Sequence, residues 1–301
     1  MTTEHINNIL ACPQCGGQLT VEENATCTTC ETTYPRHGSN GYNFHLQSPK
    51  QHVQRTLLGT DDMPGDEFFS PLVFNPYCEI DVQSLGETRH LFPTLTSYIP
   101  KPKKPISIAL DIGCGKGQNK AVCEKLGYHY LGLDYREQDA TILGDAQALP
   151  FLDNSIDFAL SMAVLEHIPH PQVMIQEAFR VLKHGSVFLG SVAFMQPFHD
   201  NSYFHFSHLG MYKALQDAGF EVIAVAPSQE YSVLIANGRQ LFRKMNRNLV
   251  RTIMAPTISL HKMWWKMNPI APNNPNLSEI RRLQKFSGAQ HFVALKPFSK
   301  G

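Results

Sequence analysis

From residue 106 to residue 193 the chain alternates short apolar runs with stretches of helical periodicity. Ile106-Ser107-Ile108-Ala109-Leu110 reads as a strand buried on both faces. A helical pattern follows from Asn119 to Gly127. Tyr130-Leu131-Gly132-Leu133, Thr141-Ile142-Leu143-Gly144 and Ser155 to Ser161 supply three more strand candidates. A helix closes through Glu177 to Lys183, His184-Gly185 breaks it, and Ser186 to Ala193 reads as a fifth strand. A helix is expected around Leu209 to Ala218, and a last strand near Gln290 to Leu295. Strands separated by helices predict a doubly wound α/β sheet.

The first strand runs into Asp111-Ile112-Gly113-Cys114-Gly115-Lys116-Gly117-Gln118. A strand, a glycine-rich turn and a helix start let a ligand approach the backbone closely. Gln118 stands where a dinucleotide fingerprint wants its third glycine, which argues against nicotinamide or flavin. No Ser or Thr follows Lys116, so a P-loop fails too. Asp134 closes the second strand near the offset of a ribose-binding acid, and Asp145 closes the third. Taken singly, each acid also fits a helix cap or a solvated loop. Cys114 reads as a packing residue.

Asp111 ahead of the Gly113-x-Gly115-x-Gly117 turn resembles the first motif of class I S-adenosylmethionine-dependent methyltransferases. The run Asp145 to Pro150, the Val164-Leu165-Glu166-His167 stretch and the Arg180-Val-Leu-Lys-x-Gly185 turn each resemble small-molecule members of that superfamily. The resemblance covers roughly residues 105–226 and implies a seven-stranded Rossmann-like sheet. It also implies a cofactor site for S-adenosyl-L-methionine at Asp111, Gly113, Gly115, Gly117, Gln118, Asp134, Tyr135, Asp145, Ala146, Ser161 and Met162. Asp145 would face the adenine amino group, with a neighbouring N–H meeting the ring. Glu166-His167 resembles ubiquinone-type O-methyltransferases, some of which bind a divalent metal through a further acid. Ala163 occupies that position, so no metal is implied there.

Near the N-terminus, Cys12-Pro-Gln-Cys15 and Cys27-Thr-Thr-Cys30 form two knuckles separated by eleven residues. Four thiolates complete a closed tetrahedral Zn²⁺ site, structural because no coordination position is left to activate water. Disulfides compete with this reading, but the spacing and the lack of a secretory leader disfavour them. With no run of roughly 18 apolar residues, a cytoplasmic chain is expected, with Cys78, Cys114 and Cys123 as free thiols. Ile9 to Phe44 resembles the zinc-ribbon activator subunit of tRNA and protein methyltransferases. A ribbon ahead of such a domain also resembles bacterial large-subunit rRNA guanine-N1 methyltransferases.

Charge changes that picture. The 301 residues carry 26 Lys and Arg against 26 Asp and Glu, so no global polyanion signature exists. Residues 231–301 nevertheless hold twelve of the cations and one acid, Glu279. The ribbon is acidic, with Glu4, Glu22, Glu23 and Glu31 against Arg36, and an RNA-gripping finger should be basic. That favours a fold element or a protein-docking surface. Through 239–266 the cations concentrate in two segments, His261 to Met267 with both tryptophans, and Arg239 to Arg251, where they interleave with Leu241, Phe242, Leu249 and Val250. This suits an amphipathic helix on an anionic membrane or over an anionic substrate, with a plain solvated face as the alternative.

Acceptor chemistry is expected after the fifth strand, in Gln196 to His208, the densest His/Tyr cluster. Histidine deprotonates a hydroxyl or amine near neutrality, so His199 or His205 is the expected general base, with Asp200 orienting it. Helix capping is the competing role. This stretch and Phe286 to Lys296 resemble methyltransferases of saccharide and natural-product biosynthesis.

The expected organisation is a zinc ribbon (1–48), a helical lid and linker (49–104), a methyltransferase core (105–230), a basic helical excursion (231–284) and a last strand with tail (285–301). The expected activity is methylation of an O or N atom of a small metabolite or lipid-linked saccharide. An RNA base methyltransferase is the alternative, against which Ser161-Met162-Ala163-Val164 replaces an Asn-Pro-Pro-Tyr-type tetrad. A non-catalytic cofactor-binding scaffold is the third reading.

Overall fold

The computed structural model describes residues 6–38, 41–53, 63–85, 91–196, 199 and 201–298. Its main sheet holds β6 (Ile108–Ile112), β7 (His129–Asp134), β8 (Ile142–Gly144), β9 (Ile156–Met162), β10 (Leu182–Ala193), β11 (Glu221–Pro227) and β12 (Ala289–Leu295). The order is β11-β12-β10-β9-β6-β7-β8. β12 runs antiparallel to both neighbours, while β6 to β10 are mutually parallel. The apolar alternation sends Ile108, Leu110 and Ile112 to one face and Ala109 to the other. One face packs on α3 (Pro171–Val181) and α4 (His208–Asp217), the other on α1 (Pro93–Thr96) and α2 (Lys120–Lys125).

The sheet does not stop at the seven expected strands. The N-terminal segment contains β1 (Leu19–Val21), β2 (Ala25–Cys27), β3 (Thr33–Tyr34), β4 (Arg36–His37) and β5 (Gly41–Phe44). β5 lies parallel to β8, pairing Asn43 with Leu143 and Phe44 with Gly144, and β4 extends the sheet to nine strands among the described residues. Gly41 allows the approach, because a Cβ there would stand 1.6 Å from the Thr141 carbonyl oxygen. Leu10 bridges Phe151, and Ala11 N–H donates to Pro150 at 3.0 Å. Tyr34, Tyr42 and Phe44 are buried in the same apolar core as Leu133, Ile142 and Phe151.

Boundaries differ locally from the sequence reading. The helix after the glycine turn spans only Lys120–Lys125 because Gly127 takes a left-handed φ of 92°. The break expected at His184-Gly185 comes earlier: α3 stops at Val181, and Leu182 already pairs with Ile156. A register shift between Leu182 and Val187 absorbs the residues expected to form the turn. Within 63–104 the described residues form only short turns, at Asp66–Phe69, Val82–Leu85 and α1. Between β11 and β12 stand α5 (Ser232–Leu241), α6 (Arg247–Met267) and α7 (Pro275–Phe286). Asn246 and Asn274 accept amide hydrogen bonds at the starts of α6 and α7.

Candidate functional site

The strand order reverses at β6, and the carboxyl ends of β6 to β10 meet around that switch point. Asp111 lies within β6, opposite Gly132 and Leu160, and is 1% exposed. Its Oδ2 accepts from Tyr130 Oη at 2.9 Å and Asn119 Nδ2 at 3.2 Å. Its buried Oδ1 has no hydrogen-bond partner among the described residues. Burial pushes the carboxyl pKa up from 3.8 to about 6; the two donors oppose that rise and Asp134 adds to it.

The turn that follows needs glycine. Gly113, Gly115 and Gly117 have φ of 74°, 51° and 68°, and a Cβ on Gly113 would lie 2.5 Å from Val164 Cγ2. Gly113 and Cys114 amides donate to the Leu133 carbonyl at 2.8 and 3.1 Å, and Gly115 N–H donates to Asp134 Oδ2 at 3.0 Å. The turn is therefore stitched to the end of β7, with Gln118 exposed at its rim. Burial raises the Cys114 thiol to about 12, which fits packing rather than reactivity.

Asp134 Oδ1 accepts from the Arg136 and Glu137 amides at 2.9 and 3.0 Å. Tyr135 is half-exposed, and its ring meets His45 of the ribbon at 4.6 Å. His45 Nε2 donates to the Tyr135 carbonyl at 2.8 Å, so the ribbon touches the rim of this site. Asp145 Oδ1 accepts from the Gln147 amide at 2.8 Å, beside buried Ala146. Ser161 and Met162 end β9, and the buried Ser161 Oγ has no partner among the described residues. Ala163, next in line, holds a left-handed φ of 57°.

On the neighbouring side, Glu166 is 1% exposed, and burial raises its pKa. Its Oε1 accepts from the Ala193 amide at 3.2 Å and stands 3.8 Å from His199 Nε2. The Tyr203 amide donates to the Glu166 carbonyl at 2.7 Å, which ties the His/Tyr segment to the end of β9. The His167 and His199 rings are 5.0 Å apart, whereas His205 is exposed, 6.3 Å from the His199 ring. Asp200, expected to orient the base, lies outside the described residues. Glu166 as the carboxylate beside His199 escaped the sequence reading, because the two are 33 positions apart and only folding joins them. A groove of about 400 Å³ lies nearby, lined by Phe194, Met195, His208, Ile270, Arg281 and Lys285 among others.

In the ribbon, Cys12, Cys15, Cys27 and Cys30 bring their sulfurs within 4.8 Å of one another. Cys12 Sγ is 3.6 Å from Cys30 Sγ, and Cys15 Sγ is 3.5 Å from Cys27 Sγ. Tetrahedral zinc with bonds of about 2.3 Å sets its thiolates about 3.8 Å apart, so the cluster fits that ion.

A mostly parallel sheet with a glycine turn and acids at successive strand ends is the arrangement of a Rossmann-like methyltransferase domain. Residues 110–190 match the methyltransferase domain family, and they follow the four-cysteine ribbon in the chain. An uncharacterised methyltransferase of Mycobacterium leprae is 34% identical over 105 residues, covering 30% of this chain and 39% of that protein. A Mycolicibacterium smegmatis protein named a "probable S-adenosylmethionine-dependent methyltransferase" is 29% identical over 135 residues, covering 38% and 51%. The alignments thus span between two-fifths and half of these relatives. Among solved structures, a complex of the Haloferax volcanii Trm112 methyltransferase activator with a methyltransferase aligns with 67% of this chain and 87% of that one. It does so at 19% identity and a TM-score of 0.44.

Proposed function

We propose that the chain is an S-adenosylmethionine-dependent methyltransferase acting on an O or N atom of a small metabolite or lipid-linked saccharide. The buried, half-satisfied Asp111 beside a left-handed glycine turn carries the reading. A carboxylate of that kind gains a partner when a cationic amino-acid moiety enters. Asp111 and the turn of Gly113, Gly115, Gly117 and Gln118 would hold the methionine end, with Ser161 and Met162 beside it. Asp134 and Tyr135 would take the ribose, and Asp145 with Ala146 the adenine. When bound, the cofactor supplies a methyl group on a sulfonium, whose carbon–sulfur electron pair returns to sulfur as the acceptor lone pair forms the new bond.

His199 takes the acceptor proton at Nδ1, since its Nε2 is buried and stands 3.8 Å from Glu166 Oε1. Glu166 holds the ring and stabilises the imidazolium, so His199 is favoured over the exposed His205. A structural zinc ion in the ribbon completes the protein. The ribbon spends its free edge on β8, which supports an internal buttress rather than an RNA-binding finger.

Titration calorimetry of the full zinc-loaded chain with S-adenosylmethionine and its demethylated product tests the cofactor. Saturable binding is expected, and absence of heat with both would end the proposal. Tritiated methyl transfer into the organic-soluble fraction of an RNA-depleted extract tests the acceptor class. Label that appears only when RNA is present would move the activity to the RNA reading.

A further inference from the structure

We propose that α6 is a docking ridge that seats this protein on an anionic lipid bilayer. The helix has three sides. Val250, Met254, Ile258, His261 and Trp265 recur at helical spacing and are buried or half-buried toward α5 and α7. Trp265 Nε1 donates to the Ser278 carbonyl of α7 at 3.2 Å, and His261 stacks on Phe286.

A second apolar row, Leu249, Ile253, Pro256, Leu260, Met263 and Met267, repeats at three- and four-residue steps and faces solvent, with Trp264 at its edge. Leu260, Trp264 and Met267 are 61%, 61% and 60% exposed. Isolated exposed apolar side chains are ordinary on a protein surface, but a continuous row along about five turns of helix is not. The third side carries Arg247, Arg251, Lys262 and Lys266.

The choice of occupant follows from charge. Residues 239–267 hold seven cations and no acid, and α5 and α6 bring Arg239, Arg247 and Arg251 near one another. Lys262 alone meets a carboxylate, Glu230, at 3.0 Å among the described residues. A second copy seated ridge to ridge would join the apolar rows but bring together two regions of seven cations each, with no acid within 239–267 of either to pair them. An anionic bilayer accepts the apolar row among its acyl chains and the cations among its headgroups. Trp264, exposed while its neighbour is anchored, suits the interfacial zone. No helix among the described residues is long and apolar enough to cross a membrane, so the contact is in-plane. The docking stands apart from the methyl-transfer reading, since it needs neither cofactor nor acceptor.

Flotation of the full zinc-loaded chain with vesicles of phosphatidylcholine alone, or mixed with phosphatidylglycerol, tests it. Binding is expected to be at least tenfold stronger on the mixed vesicles and to weaken as salt rises. Tryptophan emission should shift to the blue on binding, and Trp264→Phe should remove that shift because Trp265 is already packed. Leu260→Glu with Met263→Glu should abolish flotation while leaving circular dichroism unchanged, since both side chains face solvent. Arg247→Gln with Arg251→Gln should weaken it severalfold. Equal binding to both vesicle types, or to neither, overturns the proposal. So does a concentration-dependent dimer that the Leu260→Glu, Met263→Glu variant dissolves, which would give the ridge to a second copy.

Discussion

At the scale of single residues, Asp111 is a buried carboxylate with one oxygen unpartnered among the described residues, which sets its effect on the fold against its proposed role in binding. Its pKa near 6, above the usual 3.8, means the folded chain holds this proton more tightly than the unfolded chain. The resulting stabilisation is complete below about pH 4 and is lost as pH rises through about 6. At neutral pH the ionised, half-satisfied carboxylate therefore works against folding, and a cationic ligand offsets it. Asp111→Asn should raise the melting temperature of the ligand-free protein at pH 7.5 and weaken S-adenosylmethionine binding about tenfold or more. Wild-type affinity should also fall as pH drops below 6, and the variant should lose that dependence. Calorimetry across pH 5 to 8 measures both, and unchanged affinity in the variant would remove Asp111 from the site. The Glu166–His199 pair makes a separate statement about rate. His199→Gln should lower kcat by about 100-fold. Glu166→Gln should lower kcat by a smaller factor, because it removes the charge proposed to stabilise the imidazolium. Cofactor affinity should stay unchanged in both, and His205→Gln with an equal kcat loss would transfer the role.

At the scale of elements, the junction between β5 and β8 is the contact on which the ribbon depends. Gly41→Ala would place a methyl group 1.6 Å from the Thr141 carbonyl, and backbone cannot give way as a flexible side chain does. Faster amide exchange at 142–144 and in β5, with β6 and β9 still protected, is the expected result. Protection equal to wild type would mean that the ribbon is held elsewhere. None of this junction was legible in the sequence, because parallel pairing between segments about 100 residues apart leaves no local periodicity. The strands β6 to β9, by contrast, announce themselves as short apolar runs ending in Asp or Ser, and the glycine turn shows through its composition. The boundary between α3 and β10 misled for a physical reason. Leu182 and Lys183 continue the helical pattern, yet pairing of Leu182 with Ile156 overrides it. The first basic segment splits between α5 and α6, and α6 then runs through Pro256 into the second, which the sequence alone argues against.

At the scale of the whole molecule, the ribbon and the methyltransferase sheet share one apolar core and so should share one stability. Ile6, Leu10, Tyr34, Tyr42 and Phe44 pack in the same cluster as Leu133, Ile142, Leu149 and Phe151. A segment as short as the ribbon buries too little to hold itself, and with zinc its four thiols become a cross-link that keeps Tyr34 and Phe44 in place. Removing the metal should therefore destabilise the catalytic sheet as well, although no strand from β6 to β12 contributes a ligand. If chelation costs about 4 kcal/mol, a chain of this size should melt about 6 °C lower. It should melt in a single transition, with zinc release, tyrosine absorbance and far-ultraviolet ellipticity changing together. Cofactor affinity should fall in the same titration, because His45 of the ribbon holds the Tyr135 carbonyl at the rim of the proposed ribose site. Two resolved transitions, the lower one carrying the zinc and the upper one retaining full cofactor affinity, would separate ribbon from sheet and show that β5 and β8 touch without coupling.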